Sequence, residues 1–390
     1  MVALPRALNR VLADGISSPR DVPPFRNSAM DGFALRSADV AEVSPGQTAV
    51  LRVVETIGAG SVAQRCVEAG EAIRIMTGAP VPDGADSVVR VEDTVPGDDE
   101  VAIRVGVASG VNIRHPGEDV CAGDLVFERG RILRPADIGV LASIGVSVVR
   151  VTRRPRVAVI ATGDELVELG QPLGPGQIVN SNAYTLAAAV EEAGGEAIII
   201  GIVRDQPELM REAFVRALRA DVLLSTGGVS VGNFDYVRSI LADLGYHESF
   251  WKVAQKPGKP LSFGASGGTP VFGLPGNPVS ALVCFYVYVV PALRSMMGLS
   301  RVHLPTVQAE LIGDVVIAES FTEFVRCAFE GAHDRSRVRS TGSQSSGVLR
   351  SLSLGDGLIV GRPGVSRLAS GSKVSVVVLD PVVGSAEPPL

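Results

Sequence analysis

An apolar strand candidate, Asp221-Val-Leu-Leu-Ser225, runs directly into the glycine-rich stretch Thr226-Gly-Gly-Val-Ser230-Val-Gly-Asn-Phe-Asp235. Two further punctuated loops follow, Lys256-Pro-Gly-Lys259-Pro260 and Leu274-Pro-Gly-Asn277-Pro-Val-Ser280. The three loops carry two lysines, several hydroxyls and a carboxylate. Buried strands that end in such loops describe a binding site for an anion better than they describe simple connections.

The surrounding pattern says what kind of sheet those strands join. From Pro155 onward, apolar strands are expected at 157–161, 197–201 and 222–225, with helices at 184–193 and 207–218 between them. Such alternation implies right-handed crossovers and a parallel sheet covered on both faces. The chain of 390 residues is long enough for two to four domains. Residues 45–130 break into short alternating runs at 50–56, 71–76, 86–91 and 101–105, separated by turn residues, and read as a small all-β module. A helix is expected from Arg134, with Pro135 in its first turn. It should pack back beside the N-terminal segment, which makes the module an insertion. Residues 2–13 read as a short amphipathic helix whose apolar face is Leu4, Leu8, Val11 and Leu12. Paired prolines at 23 and 24 force an extended path, so Ser28 and Asp31 fall on irregular backbone. After Ser300 the runs at 306–312, 315–318, 324–329 and 373–379 form a second small β domain, and the tail from Pro381 is expected to be loose. The expected partition is therefore 1–44 with 131–154, 45–130, 155–298 and 299–390. The fold class is multidomain α/β around a central doubly wound, mostly parallel domain.

Composition excludes several function classes. A net charge of −6 provides no whole-molecule basic field for nucleic acid, and aromatic residues make up only 5%, too few for stacking platforms. Cys66, Cys121, Cys284 and Cys327 lack metal-site spacing, which favours a reducing cytoplasm. Arg6 and Arg10 are not followed by a signal-peptide core, and the apolar run 281–290, which ends at Pro291, is too short for a bilayer and reads as a buried helix. No membrane association is expected.

In open α/β sheets ligands sit beyond the carboxyl ends of the strands. Those ends here supply Thr162-Gly163-Asp164-Glu165, Arg204-Asp205, the Gly227 loop and the Leu274 loop. Gly227 and Gly228 let main-chain N–H groups approach an oxyanion. Asn277-Pro278 reads as an N-cap and first-turn proline, placing Ser280 in the positive first turn of a helix. Lys256 and Lys259 flank a stiff turn. Glu165, Asp205 and Asp235 are hard oxygen ligands suited to Mg²⁺. Each has a plainer reading: Asp235 as a first-turn acid, Asp205 as a helix cap, the glycine pair as a turn, the lysines as solvated. Their convergence on one edge of one sheet favours a site.

Taken together, these residues resemble the molybdopterin molybdotransferase family, which includes the E domain of gephyrin. The resemblance rests on Pro24-Phe-Arg-Asn-Ser-Ala-Met-Asp31-Gly-Phe-Ala, Ile75-Met-Thr77-Gly-Ala-Pro-Val-Pro82, Arg114-His-Pro-Gly-Glu-Asp119 and Thr162-Gly-Asp-Glu165-Leu. It continues through Gly176-Gln-Ile-Val-Asn-Ser-Asn182, Ser225-Thr-Gly-Gly-Val-Ser230-Val-Gly and the two later loops that contain Lys256, Lys259, Pro275 and Ser280. It implies four domains, with an N-terminal dimerisation domain and a barrel-like C-terminal one, in an elongated homodimer. It implies insertion of molybdenum from molybdate into adenylylated molybdopterin, with Mg²⁺-dependent release of AMP. The adenylyltransferase that supplies the substrate and the molybdoenzymes that receive the product are possible protein partners. Thr162, Gly163, Ser225, Gly227, Gly228, Asn277 and Pro278 are implied as substrate contacts. Ser230, Ser280, Lys256 and Lys259 would cradle molybdate, and Asp31, Thr77 and Asp119 would reach the cleft from the partner subunit. The family pattern Arg-x-acidic-aromatic-x-Arg survives only in part, as Phe321-Thr-Glu323-Phe-Val-Arg326, so Arg326 alone is left for anion capture. The Gly342-Ser-Gln-Ser-Ser346 loop is a candidate hydroxyl partner. The nearest competing activity is molybdopterin adenylylation, which needs only the 156–295 domain; a scaffold of the same fold is a third reading.

Overall fold

The computed structural model describes residues 1–204, 206–227, 234–330 and 336–380, with the main chain alone at 234–236. Asp205, Gly228, Ser230, the side chain of Asp235 and the tail from Pro381 therefore lie outside the described residues. The chain forms two compact units, Met1–Val151 and Thr152–Leu390.

In the first unit the expected helix over 2–13 is absent. Val2–Ala3 instead pairs antiparallel with Val148–Val149, a single 3₁₀ turn spans Leu4–Arg6, and Val11 and Leu12 bridge to Ile132 and Val151. The Leu4, Asn9 and Leu12 N–H groups bond to the carbonyls of Ser147, Leu133 and Arg131, so partners elsewhere in the unit replace helical bonds. Asn9 also takes a left-handed φ of +59°, which a helix interior does not accept. Of the four residues expected on its apolar face, Leu4, Val11 and Leu12 are buried and Leu8 is exposed; Leu4 and Leu12, with Ala7, pack against Leu133, Leu141, Ile144 and Val149. The helix Pro135–Ser143 forms where expected. Asp137 secures its start by accepting the Arg134 N–H at 2.9 Å and the Arg131 guanidinium at 2.8 Å.

The β-rich part of this unit is a six-stranded sheet ordered Ser87–Arg90, Gly32–Leu35, Glu71–Ile75, Ala49–Ile57, Glu100–Ile103, Thr94–Pro96. It includes residues 32–35, which come before the run of β pattern in the sequence. Gly32 stands opposite Ile75 and Arg90, and a Cβ there would lie 1.9 Å from the Val89 carbonyl oxygen. Only glycine fits between those strands.

The second unit carries a six-stranded sheet ordered Glu196–Val203, Arg156–Thr162, Val222–Thr226, Thr269–Leu274, Ser262–Ser266, Tyr246–Trp251. The first four strands are parallel and the last two antiparallel. The chain starts at Arg156–Thr162, crosses to one side of it and then to the other, so a switch point falls between Arg156–Thr162 and Val222–Thr226. Helices Ser181–Glu192 and Pro278–Cys284 cover one face with a large apolar core; Pro207–Ala217 and Phe234–Asp243 cover the other. The run expected to stop at Pro291 continues instead. A π-helical segment, Phe285–Val289, precedes Val290–Met296, and the Val290 N–H reaches back to Phe285. The wider turn changes the carbonyl positions a proline ring would otherwise strike. Length and composition alone would let 278–296 cross a membrane, yet 56% of its most apolar window is buried inside the protein. It is a core helix.

Beyond it, Thr306–Ile312, Thr322–Glu330, Arg337–Ser340, Gly357–Gly361 and Lys373–Val378 close into a small barrel, sealed by pairing of Gly357–Gly361 with Thr322–Glu330. Gln255–Lys256 adds to Thr322–Glu323 and ties the barrel to the α/β sheet.

Replacing Gly32 by alanine should lower the thermal midpoint of the β-rich unit, with a cost of about 1–3 kcal/mol or more. Differential scanning calorimetry of the variant checks this; an unchanged midpoint would mean the strands tolerate a Cβ.

Candidate active site

Around the switch point the registers bring four strand ends together. Thr162 stands beside Val203, Ala161 beside Thr226, and Thr226 beside Leu274. A cleft of about 650 Å³ opens there, lined by Gly227 and Pro275 as they leave the sheet; Gly163 is not among its lining residues. Gly227 has φ +85°, and a Cβ would lie 2.3 Å from the Thr162 carbonyl oxygen, so glycine is required for the two strand ends to approach. Gly163 has φ +145° and is capped by Glu165, whose Oε2 would lie 2.4 Å from a Cβ. Glu165, Thr162, Gly227, Pro275, Asn277, Pro278 and Ser280 all line the cleft, as the sequence led us to expect.

Strand alternation separates Ser225 from its neighbour. Thr226 faces the cleft, whereas Ser225 borders a small enclosed space with Val237, Leu241 and Tyr246 on the other side of the sheet. Asn277 holds the N-cap position but makes no cap bond. Its Nδ2 donates to Ser346 Oγ at 2.9 Å, and the Ser346 carbonyl accepts the Val279 N–H at 3.2 Å. The first turn of the core helix is thus tied to a loop of the barrel.

Arg326 controls that loop. It is 1% exposed; Nε donates to Ser351 Oγ at 3.1 Å, and Nη2 donates to the Ser343 and Ser345 carbonyls at 3.1 and 3.0 Å. Burial pulls its guanidinium below the usual range, and the nearby Glu323 carboxylate opposes that shift. In this arrangement Arg326 anchors the 343–346 loop. Lys256 and Lys259 also lie away from the cleft lining. Lys256 Nζ pairs with the buried Glu323 at 3.1 Å, and Lys259 Nζ stands 5.6 Å from the Phe321 ring centre. Their turn is locked by Gly258, where a Cβ would lie 2.5 Å from Cys284 Sγ.

Two contributors carried no role in the sequence reading. Asn182 Nδ2 donates to Thr226 Oγ1 at 2.9 Å and to the Gly276 carbonyl at 2.7 Å, and Thr226 Oγ1 donates to the Pro275 carbonyl at 3.2 Å. One carboxamide thereby braces two of the loops that form the cleft. Asn180 begins the same helix, its Oδ1 accepting the Ala183 N–H at 3.3 Å. Both lie within the Gly176–Asn182 motif, which pointed to the family but not to particular contacts.

The first unit brings Asp31 and Thr77 together. The Gly32–Ile75 register places the turn before one strand beside the turn after the other. Asp31 Oδ1 accepts the Thr77 N–H at 2.6 Å and its hydroxyl at 2.7 Å. Asp119 is exposed, on a segment joined to Val22 through its own N–H at 2.9 Å.

Comparisons with known proteins agree along the chain. Residues 1–145 match the model for the MoeA N-terminal region (domain I and II), 158–295 that for a probable molybdopterin binding domain, and 309–379 that for the MoeA C-terminal region (domain IV). The chain is 39% identical to molybdopterin molybdenumtransferase 2 of Mycobacterium tuberculosis, over 96% of this chain and 94% of that protein. The chain belongs to the molybdopterin molybdenumtransferase (MoeA) family. The Staphylococcus aureus molybdopterin molybdenumtransferase is 36% identical over 97% of this chain and 91% of its own length. The molybdopterin biosynthesis moeA protein of Pyrococcus horikoshii OT3 superposes with a TM-score of 0.84 at 32% identity, covering 97% and 94% of the two chains. The cleft is lined by residues of the 158–295 match together with Gly347 of the 309–379 match, which also holds the Arg326 loop.

The Thr77 N–H and hydroxyl hold the Asp31 carboxyl below the usual carboxylate range. Because the folded value is depressed, this contact should contribute stability that is present above the unfolded carboxylate pKa and lost as pH falls through the folded one. A carboxylate NMR titration should place Asp31 below the ordinary aspartate value, and Thr77→Val should move it back up. Coincident titrations in both proteins would refute the assignment. Replacing Arg326 by methionine should release the 343–346 loop from its anchor at a cost of about 1–3 kcal/mol. Urea unfolding measures it.

Proposed function

We propose that this chain is a molybdopterin molybdotransferase, moving molybdenum from molybdate into adenylylated molybdopterin with release of AMP. The observation that carries the reading is a family match that runs through all three regions and contains, in its central one, a cleft at the switch point of a parallel sheet. An adenylyltransferase would need the central region alone. The flanking regions favour the transferase. A scaffold of the same fold is the remaining competitor, and the assay below separates it.

Several features of the second unit support the chemistry. A negatively charged substrate would meet the main-chain N–H of Gly227 and, in the first helical turn, that of Ser280, since Pro278 has none and Val279's goes to the Ser346 carbonyl. Lys256 is engaged by Glu323, so molybdate bound at that lysine competes with a carboxylate for one ammonium. Lys259, Ser230 and Arg326 complete the proposed anion-binding set, with Arg326 acting through the loop it holds.

Among the described residues no group of three metal-ligating side chains comes together. Mg²⁺ commonly takes one or two carboxylates and fills its remaining positions with substrate phosphates and water. Glu165, exposed on the cleft, is a suitable ligand of that kind, and the strand leading to Asp205 ends beside Thr162. Mg²⁺ held by Glu165, Asp205 and Asp235 would neutralise the pyrophosphate and polarise the phosphorus that is attacked. Asp31, Thr77 and Asp119 belong to the same reaction when supplied by a second copy in a homodimer. Four unpaired cysteines suit a reducing cytoplasm.

Purified protein given adenylylated molybdopterin, Mg²⁺ and molybdate should release AMP and accumulate metal-bound cofactor. Binding without molybdate-stimulated turnover would favour the scaffold. Glu165→Gln should lower turnover by about 10²- to 10³-fold while the fold survives. Undiminished Mg²⁺-dependent AMP release in that variant would remove Glu165 from the site.

A further inference from the structure

The turn that carries Lys256 and Lys259 rests on a buried polar network to which the proposed reaction gives no part. Gln255 is 2% exposed. Its Nε2 donates to the Pro257 carbonyl at 2.9 Å and lies 3.5 Å from Cys284 Sγ, and its Oε1 accepts the Tyr288 hydroxyl at 2.6 Å. Cys284 Sγ in turn donates to the Gly258 carbonyl at 3.6 Å. Burial pushes the pKa of that thiol up to about 12, so it keeps its proton at neutral pH. The Lys259 carbonyl accepts the Val253 N–H at 2.9 Å and closes the loop. Gly258 allows the close packing: at φ +100°, a Cβ would lie 2.5 Å from Cys284 Sγ and 2.6 Å from Gln255 Nε2.

The Gln255 amide can sit only one way. Turned over, its Oε1 would face the Pro257 carbonyl, oxygen against oxygen, so Nε2 lies there and Tyr288 is the donor to Oε1. Cys284 ends the helix Pro278–Cys284 and Tyr288 belongs to the π-helical segment Phe285–Val289, so the turn hangs on the core helix. Lys256 has an anchor of its own in Glu323. Lys259 makes no ion pair among the described residues, and its ammonium stands 5.6 Å from the centre of the partly exposed Phe321 ring. A cation near such a ring is a weak contact, whereas a buried carbonyl that loses its donor carries the cost of desolvation. The backbone of the turn therefore decides where Lys259 stands.

We propose that Gln255 is a positioning residue: by holding the Pro257 carbonyl it fixes the turn that presents Lys259 to an oxyanion, and Tyr288 keeps its amide in place. This rests on the proposed use of Lys259 in binding molybdate.

Gln255→Met keeps the length of the side chain and loses the amide, and Tyr288→Phe removes only the hydroxyl. Steady-state AMP release at saturating adenylylated molybdopterin reads the effect on the lysine. Gln255→Met should raise the KM for molybdate about tenfold while kcat stays within about twofold, and Tyr288→Phe should follow in the same direction. In a Lys259→Met background the same change at 255 should leave that KM where it is, because both residues act through one ammonium. A group that served stability alone would lower the unfolding midpoint without separating KM from kcat. An unchanged KM in Gln255→Met, or an equal rise with and without Lys259, would overturn the inference. Hydrogen–deuterium exchange of residues 256–259 needs no substrate: it should be about tenfold faster in Gln255→Met and at the wild-type rate elsewhere. Wild-type exchange over the turn would also overturn the inference. A wild-type chain without molybdate-stimulated AMP release would instead overturn the functional reading beneath it, and exchange would still decide whether Gln255 sets the turn.

Discussion

A parallel sheet delivers all its strand ends to one side, and this molecule is built on that constraint. Once Arg156–Thr162, Val222–Thr226 and Thr269–Leu274 pair in parallel, their exits must share an edge. Because the crossovers run first to one side of Arg156–Thr162 and then to the other, the helices part there, and a cleft remains. Glycine at 227 is the local condition for it: the Thr162 carbonyl occupies the place of any Cβ. The chemistry is arranged around a gap that topology creates.

What keeps the gap in shape is a small polar frame. Asn182 joins the loops at 226 and 276, and Thr226 passes the bond on to Pro275. From the barrel side, Arg326 fixes the 343–346 loop, whose Ser346 in turn holds Asn277 and the Val279 N–H. Hydrogen bonds from a charged donor cost much to leave unmade in a buried place, so these braces favour one arrangement of the loops.

Much of this was legible in the sequence, and the misses have identifiable causes. Alternating apolar strands and helices after Pro155 announced the parallel sheet, and glycine- and proline-marked loops located the edge where its cleft opens. Glu165, Gly227, Asn277 and Ser280 reached the cleft as expected. The segment at 2–13 misled because its apolar spacing suits a helix, while neighbouring strands offered its N–H groups better partners. Pro291 misled for the opposite reason, since a π-helical turn absorbed a residue that usually ends helices. Lys256 and Arg326 read as free cations; pairing with Glu323 and with loop carbonyls comes from residues about 65 and 20 positions away, beyond the reach of local pattern.

By itself, then, the sequence determined the sheet type, the edge at which the cleft opens, the glycines that edge requires and the family. Those depend on local properties: period, branching and the freedom of glycine. Only the tertiary structure decided which polar atoms are already satisfied. Hydrogen-bond partners are chosen among residues brought together by folding, so Asn277 could turn from cap to brace and Arg326 could become the anchor of the 343–346 loop.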